Sequence, residues 1–168
     1  MTYLMFITLF HTAISLLALV AGSVVVVDLF RGGSLRFWTK LFLATAVVTS
    51  LTGFVFPFRG VTPAQIVGIV ALVILAFVLV AYYRFHAAKA WRWIYAAGMV
   101  ASLYLLVFVG VVQAFGKIAY LKGLAPTQSE LPFVIAQGAT LLFFIPVGIV
   151  AVLKYRPAIA AANLGLAR

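Results

Sequence analysis

Long runs of apolar residues, separated by short polar or charged segments, set the pattern of this chain. Each run is about as long as the roughly 20 residues that an α-helix needs to cross about 30 Å of hydrocarbon. The pattern therefore predicts an all-α integral membrane bundle of five transmembrane helices, and this single transmembrane domain fills residues 1–168. The predicted spans are 3–30, 37–56, 63–83, 91–115 and 131–153.

Local signals mark where several of these helices begin or end. The Thr62–Gln65 and Thr127–Glu130 segments each predict a capping box, ahead of the third and the fifth span. The pair Gly32–Gly33 predicts a tight turn between the first two spans. Residues 1–27 lack the positive start of a signal peptide, because the first basic residue is Arg31, so we expect the first run to be retained as a helix.

Composition supports the membrane assignment and narrows the chemistry. The chain is 67% hydrophobic and only 8% charged, whereas a soluble domain is about one quarter charged. Without cysteine it has no thiolate nucleophile, disulfide or Cys-type metal site. Its two acidic residues leave little for general acid–base catalysis or hard-metal binding. We therefore expect no enzymatic activity, no catalytic residue and no metal site.

The basic residues predict the orientation of the bundle. Loops rich in Lys and Arg stay in the cytoplasm, and nine of the twelve basic residues fall on one side of the predicted spans. This places the N-terminus outside and the C-terminus in the cytoplasm. The net charge of +10 is divided among short loops, which favours anionic lipid headgroups over nucleic acid as the partner. The nine residues are Arg31, Arg36, Lys40, Arg84, Lys89, Arg92, Lys154, Arg156 and Arg168.

Polar residues recur at helical spacing inside the spans and predict a candidate site. When depths are assigned from the alternating direction of the helices, five of these residues fall in the outer leaflet: His11, Thr49, Thr52, Gln113 and Gln137. If the polar faces converge, these side chains form one chamber that opens toward the outside beneath the loop 116–129. The alternative is that each side chain only bonds its own backbone or a neighbouring helix.

His11 is the strongest candidate for function, because ionisable groups inside a membrane are often functional. An imidazole at this depth suits haem ligation, a hydrogen bond to a quinone carbonyl, proton transfer or simple helix packing. His86 is predicted at the opposite boundary, so a haem held by two histidines of one chain is not expected. Asp28 and Arg31 are spaced for a local ion pair, and Pro146 is expected to bend the fifth span.

Several segments together resemble a group of short, uncharacterised, multi-span inner-membrane proteins of proteobacteria. The resemblance covers most of the chain. It implies a location in the bacterial inner membrane and carries no activity with it. The segments that support it are Thr49 to Phe58 (TSLTGFVFPF), Thr62 to Gly68 (TPAQIVG), Ala90 to Tyr95 (AWRWIY), Val111 to Phe115 (VVQAF) and Leu124 to Gly138 (LAPTQSELPFVIAQG).

Two classes of function are compatible with these observations. The first is a non-catalytic accessory or assembly partner of a larger membrane complex, which implies a membrane-protein partner or a second copy of the chain. The second is a binder of a lipophilic cofactor or metabolite, such as a quinone, haem or lipid, with His11 as the polar anchor of the chamber. A transporter is less favoured, because the five spans show no evident internal repeat.

Overall fold

The computed structural model describes residues 2–33, 35–56 and 63–156. Six α-helices occur in these ranges, and no strand does. The helices are α1 (Thr2–Leu29), α2 (Arg36–Thr52), α3 (Pro63–Leu79), α4 (Trp91–Lys117), α5 (Ala119–Leu124) and α6 (Leu131–Lys154).

Five of these helices are long and apolar enough to cross a membrane, which confirms the predicted all-α bundle. The candidate spans run Tyr3–Leu29, Arg36–Val55, Gln65–Arg84, Trp91–Lys117 and Leu131–Lys154. Each lies within a few residues of its predicted bounds. The sequence predicts a loop over residues 116–129, whereas Ala119–Leu124 within it form the short helix α5.

A tight turn joins α1 to α2, as predicted. Gly32 and Gly33 both have positive φ angles, +106° and +76°, which residues other than glycine rarely adopt. The buried carboxylate of Asp28 accepts a hydrogen bond from the backbone N–H of Leu35 at 2.9 Å. A Cβ atom on Gly33 would overlap the ring of Tyr155. The turn therefore needs glycine at this position both for its backbone and for its neighbour.

The start of α6 differs from the predicted capping box. The box would make Thr127 the N-cap, whereas the helix begins at Leu131 with Glu130 as its N-cap. The reason is Pro132, which would otherwise lie in the fifth helical position and lack the N–H that the helix needs there. Glu130 still accepts bonds from the N–H and hydroxyl of Thr127, at 3.1 and 2.9 Å. The predicted cap at Thr62 lies outside the described residues.

The end of α3 contains a feature that the sequence analysis did not predict. A π-helical turn follows α3 at Val80–Arg84, and the N–H of Ala87 then donates to the carbonyl of Ala81 at 2.7 Å. His86 and Ala87 have φ angles of +49° and +50° although neither is glycine. This turn holds Ala87 in the core and His86 at the end of the bundle where α3 finishes.

The helices pack around α4, which contacts α1, α3 and α6, while α2 packs between α1 and α3. Glycines allow two close approaches. A Cβ atom on Gly98 of α4 would overlap Val78 of α3, and one on Gly22 of α1 would lie 2.7 Å from Phe42 Cε2 and 2.9 Å from Leu103 Cδ1. The last site brings α1, α2 and α4 together at one point.

The hydrophobic core occupies mainly one half of the bundle. We call this the core half: residues 18–29, 36–46, 75–87, 91–103 and 144–155, where α1, α3 and α6 end and α2 and α4 begin. The opposite half of the spans, the site half, has mostly half-buried and exposed side chains. Thr49 of α2 is an exception, and so are Phe115 and Ala125, which are buried near α5. By the charge distribution, the core half is the predicted cytoplasmic half.

Candidate functional site

His11 of α1 is joined directly to Thr52 at the end of α2. The His11 Nδ1 and Thr52 Oγ1 atoms lie 2.8 Å apart, a hydrogen-bond distance. The rings of His11 and Phe56 pack edge to face, with their centroids 5.3 Å apart. A Cβ on Gly53 would lie 3.9 Å from His11 Cε1. Two of the five predicted site residues are therefore in contact, and Phe56 also packs against the imidazole.

The other imidazole nitrogen, Nε2 of His11, has no hydrogen-bond partner among the described residues. The half-buried ring can therefore bind a further group. Lys117 at the end of α4 lies within electrostatic range of the ring, so α4 approaches this region as well as α1 and α2.

Buried hydroxyls without a partner lie deeper in the bundle. Thr49 of α2 is 7% exposed and Ser102 of α4 is 3% exposed, yet neither hydroxyl oxygen has a hydrogen-bond partner in the described ranges. At 1.5 Å per residue, Thr49 lies about 20 Å along α2 from Arg36, and Ser102 about 17 Å along α4 from Trp91. Thr49 therefore lies in the site half, whereas Ser102 lies at the boundary of the core half, one residue before Leu103, which belongs to the close contact at Gly22.

These two hydroxyls are unusual within this molecule. Six helical hydroxyls donate to the carbonyl four residues earlier, which is the common solution for Ser and Thr in membrane helices. Thr49 and Ser102 do not, so their oxygens are left for another partner. The six that bond to their own helix are Thr8, Ser15, Ser23, Thr45, Thr52 and Thr140.

Gln137 contributes a further unpaired atom from α6. Its side-chain Nε2 donates to the backbone carbonyl of Phe108 on α4 at 3.1 Å, which leaves its buried Oε1 without a partner in the described part of the chain. A carbonyl accepts but cannot donate, so the amide nitrogen must be the atom that faces Phe108. Gln137 therefore joins α6 to α4, as the packing alternative requires, and also presents a free acceptor.

Gln113 is a predicted site residue for which the structure shows no contact with the others. Its side chain is exposed, and no hydrogen bond links it to His11 or Gln137 among the described residues. The carbonyl of the neighbouring Val112 is occupied instead by the Nε2 of Gln128, at 2.9 Å. The full convergence of the five side chains into one chamber stays a prediction.

Ser102 is the residue that the site prediction missed. It shares a helical face of α4 with Gly98 and Gln113 by spacing, so the signal was present in the sequence. Ser102 is not among the predicted site residues because its predicted depth is nearer the middle of the membrane than that of the other candidates. Its orphaned hydroxyl makes it a better site candidate than Gln113.

The arrangement suits hydrogen bonding more than metal binding. No group of three or more His, Asp or Glu side chains in the described ranges could hold a metal ion. His86 follows α3 at the core half, whereas His11 lies about 27 Å along α1 from Leu29, in the site half. The separation agrees with the expectation that one chain does not offer two histidines to one haem.

No protein-family model, curated protein or solved structure matches this chain. The fold defines a class, a helical membrane protein with several spans. The features of this chain that bear on its function are the unpaired polar atoms within those spans.

Proposed function

We propose that this protein binds a lipophilic molecule by its polar end, between the helices of the site half and as far as its boundary with the core half. The observation that carries the proposal is the pair of buried, unpaired hydroxyls at Thr49 and Ser102. An unsatisfied buried polar group costs about 1–3 kcal/mol. A bound ligand that hydrogen-bonds to these oxygens removes that cost.

The site half suits such a ligand because its side chains are less buried than those of the core half. Gly22, Phe42 and Leu103 close the bundle near the level of Ser102 and limit how deeply a molecule can enter. His11 supplies a further polar contact toward the end of the spans. The proposed ligand contacts are His11, Thr49, Thr52, Ser102 and Gln137, and the classes expected from the sequence are a quinone, haem or lipid.

A second candidate function is the accessory or assembly partner, and α6 favours it. Only Phe144 and Ala151 of this 24-residue helix are buried. The helix packs chiefly on α4, and a Cβ atom on Gly138 would meet no atom of the described part of the chain within 4 Å. A face this open can receive a helix of another membrane protein or of a second copy of the chain.

Location and orientation are also proposals. The charge distribution supports an N-terminus outside and a C-terminus in the cytoplasm, and the resemblance supports the bacterial inner membrane. In this orientation the site half lies in the outer leaflet. A ligand would then enter from the outer leaflet of the inner membrane.

The proposal is tested by extracting and identifying organic molecules from the purified full-length protein. Thr49→Val and Ser102→Ala remove the unpaired hydroxyls while keeping side chains of similar size. Thr140→Val is the matched control, because the Thr140 hydroxyl already bonds to the carbonyl of Ala136. We expect a stoichiometric lipophilic molecule in the wild type and in Thr140→Val, and its loss in the other two variants.

Two results would contradict ligand binding. One is a wild-type protein that retains no molecule beyond bulk membrane lipid, and the other is equal retention by all three variants. Co-purification of another membrane protein in stoichiometric amount, without a bound small molecule, would support the accessory function instead. An absorption spectrum from 350 to 700 nm distinguishes haem from the colourless lipids.

A further inference from the structure

We infer that the ligand presents a hydroxyl donor to Nε2 of His11, so that it is a lipophilic alcohol or phenol rather than a ketone, quinone or ether. The inference rests on the proposed function and adds the hydrogen-bond polarity of the site. It comes from the bonds that the Thr52 hydroxyl can make at one time.

The Thr52 hydroxyl has one proton and several neighbours. Its Oγ1 lies 2.8 Å from the carbonyl oxygen of Val48, 3.1 Å from that of Thr49 and 2.8 Å from Nδ1 of His11. The two carbonyl oxygens can only accept. When the hydroxyl proton points to Val48, the bond to His11 forms only if Nδ1 carries a proton and donates to Thr52.

The opposite arrangement makes fewer bonds. If Thr52 donated to Nδ1, the bond to the Val48 carbonyl would be lost, and the imidazole proton would sit on Nε2, which has no partner among the described residues. One hydrogen bond would replace two. An N–H without a partner inside a membrane is costly, because no water is present to accept from it. Protonation at Nδ1 is therefore favoured.

A neutral imidazole protonated at Nδ1 has a lone pair at Nε2. That nitrogen can accept a hydrogen bond, but it cannot donate one. A ketone, quinone or ether oxygen is also an acceptor and gains nothing from it. A hydroxyl group donates to it and satisfies it.

Gln137 independently supports a ligand that donates a hydrogen bond. Its Nε2 is committed to the Phe108 carbonyl, so the unpaired Oε1 can only accept. Gln137 lies about 26 Å along α6 from Lys154, and His11 about 27 Å along α1 from Leu29. Acceptor atoms thus lie in the site half on two helices, at similar distances from the core half. The hydroxyls of Thr49 and Ser102 either donate or accept, so they suit the same ligand.

The first test measures which nitrogen of His11 carries the proton. The sample is the full-length protein in lipid nanodiscs, labelled with ¹⁵N-histidine and carrying His86→Gln, so that His11 is the only histidine. We expect the ¹⁵N spectrum to show a protonated Nδ1 and an unprotonated Nε2. Thr52→Val removes the acceptor for Nδ1 and should shift the tautomer balance. Thr52→Ser keeps the hydroxyl and should preserve it. A wild-type-like sample protonated at Nε2 would overturn the inference.

The second test compares two probes that differ by one donor, 4-octylphenol and its methyl ether 4-octylanisole. Binding is measured in nanodiscs against empty nanodiscs of the same lipid, which corrects for partition into the bilayer. We expect the phenol to bind at least about tenfold more tightly than the ether, which corresponds to about 1.4 kcal/mol. His11→Leu should remove this preference.

The outcomes separate the two proposals. Equal binding of both probes, or tighter binding of the ether, would overturn the hydroxyl-donor inference and leave a ligand site in place. Binding of neither probe above the empty nanodiscs would count against the ligand site itself. A preference for the phenol that persists in His11→Leu would remove His11 from the proposed contact.

Discussion

The close contact between α3 and α4 makes Gly98→Ala the most informative change to the fold. A Cβ atom at this position would overlap Cγ2 of Val78, whose side chain is 0% exposed. Valine has one strongly preferred rotamer in a helix, so it cannot easily turn away. Adding a methyl group to a well-packed core costs about 1–3 kcal/mol. Alanine recovers about 0.5–1 kcal/mol through its better helix propensity. The expected net loss is about 1–2 kcal/mol.

Gly110→Ala is the matched control on the same helix. A Cβ atom there would meet no atom of the described residues within 4 Å. We expect the stability of this variant to be unchanged, or higher by up to about 1 kcal/mol from helix propensity alone. Unfolding in mixed micelles with increasing SDS, followed by tryptophan fluorescence, measures both free energies. Trp91 and Trp93 report on the affected region, because they lie at the start of α4.

A double-mutant cycle with Val78→Ala tests the stated cause. Removing Cγ2 of Val78 creates the space that the new methyl group of Gly98→Ala needs. The two changes should therefore cost less together than the sum of their separate costs, by about 0.5–3 kcal/mol. Equal effects of Gly98→Ala and Gly110→Ala, or a strictly additive cycle, would refute the packing argument.

Two further predictions concern the ends of the helices. Desolvation alone would raise the pKa of the Glu130 carboxyl, but hydrogen bonds from Thr127, from the backbone of Ser129 and from its own backbone together lower it. The stabilising effect of this carboxyl is therefore present above the ordinary carboxyl range and lost as the pH falls through the lowered value. Melting temperatures between pH 7 and pH 3 should therefore fall less in Glu130→Gln than in the wild type, and identical curves would contradict this role. The charge distribution predicts that alkaline phosphatase is inactive when fused after Arg168 and active when inserted near Lys122; the reverse pattern would invert the orientation.

The spans could be predicted from the sequence because length and hydropathy are properties of each segment alone. The turn at Gly32–Gly33 was predictable for a similar reason, since the residues themselves allow the positive φ angles that the structure shows. The helix α5 was missed because its six residues lie in a segment that carries no long apolar run. Whether so short a helix forms depends on the longer helices that flank it, here α4 and α6.

The candidate site was only partly predictable. Depth along a helix follows from residue number, and this placed His11 and Thr52 in the same part of the membrane, where they form a hydrogen bond. Rotation about the helix axis depends on packing between distant segments. Spacing on one helix therefore could not show that Gln113 is exposed or that the Ser102 hydroxyl has no partner.

The uneven distribution of the core affects how the bundle responds to the bilayer around it. Contacts in the core half hold the helices at one end, so a change in tilt displaces the other end in proportion to its distance from that end. At the height of His11, about 27 Å from Leu29, a tilt of about 5° moves a helix sideways by about 2 Å. Membrane helices adjust their tilt when the hydrocarbon thickness changes. Bilayer thickness would therefore alter the spacing of helices around the imidazole while the contact at Gly22 stays closed.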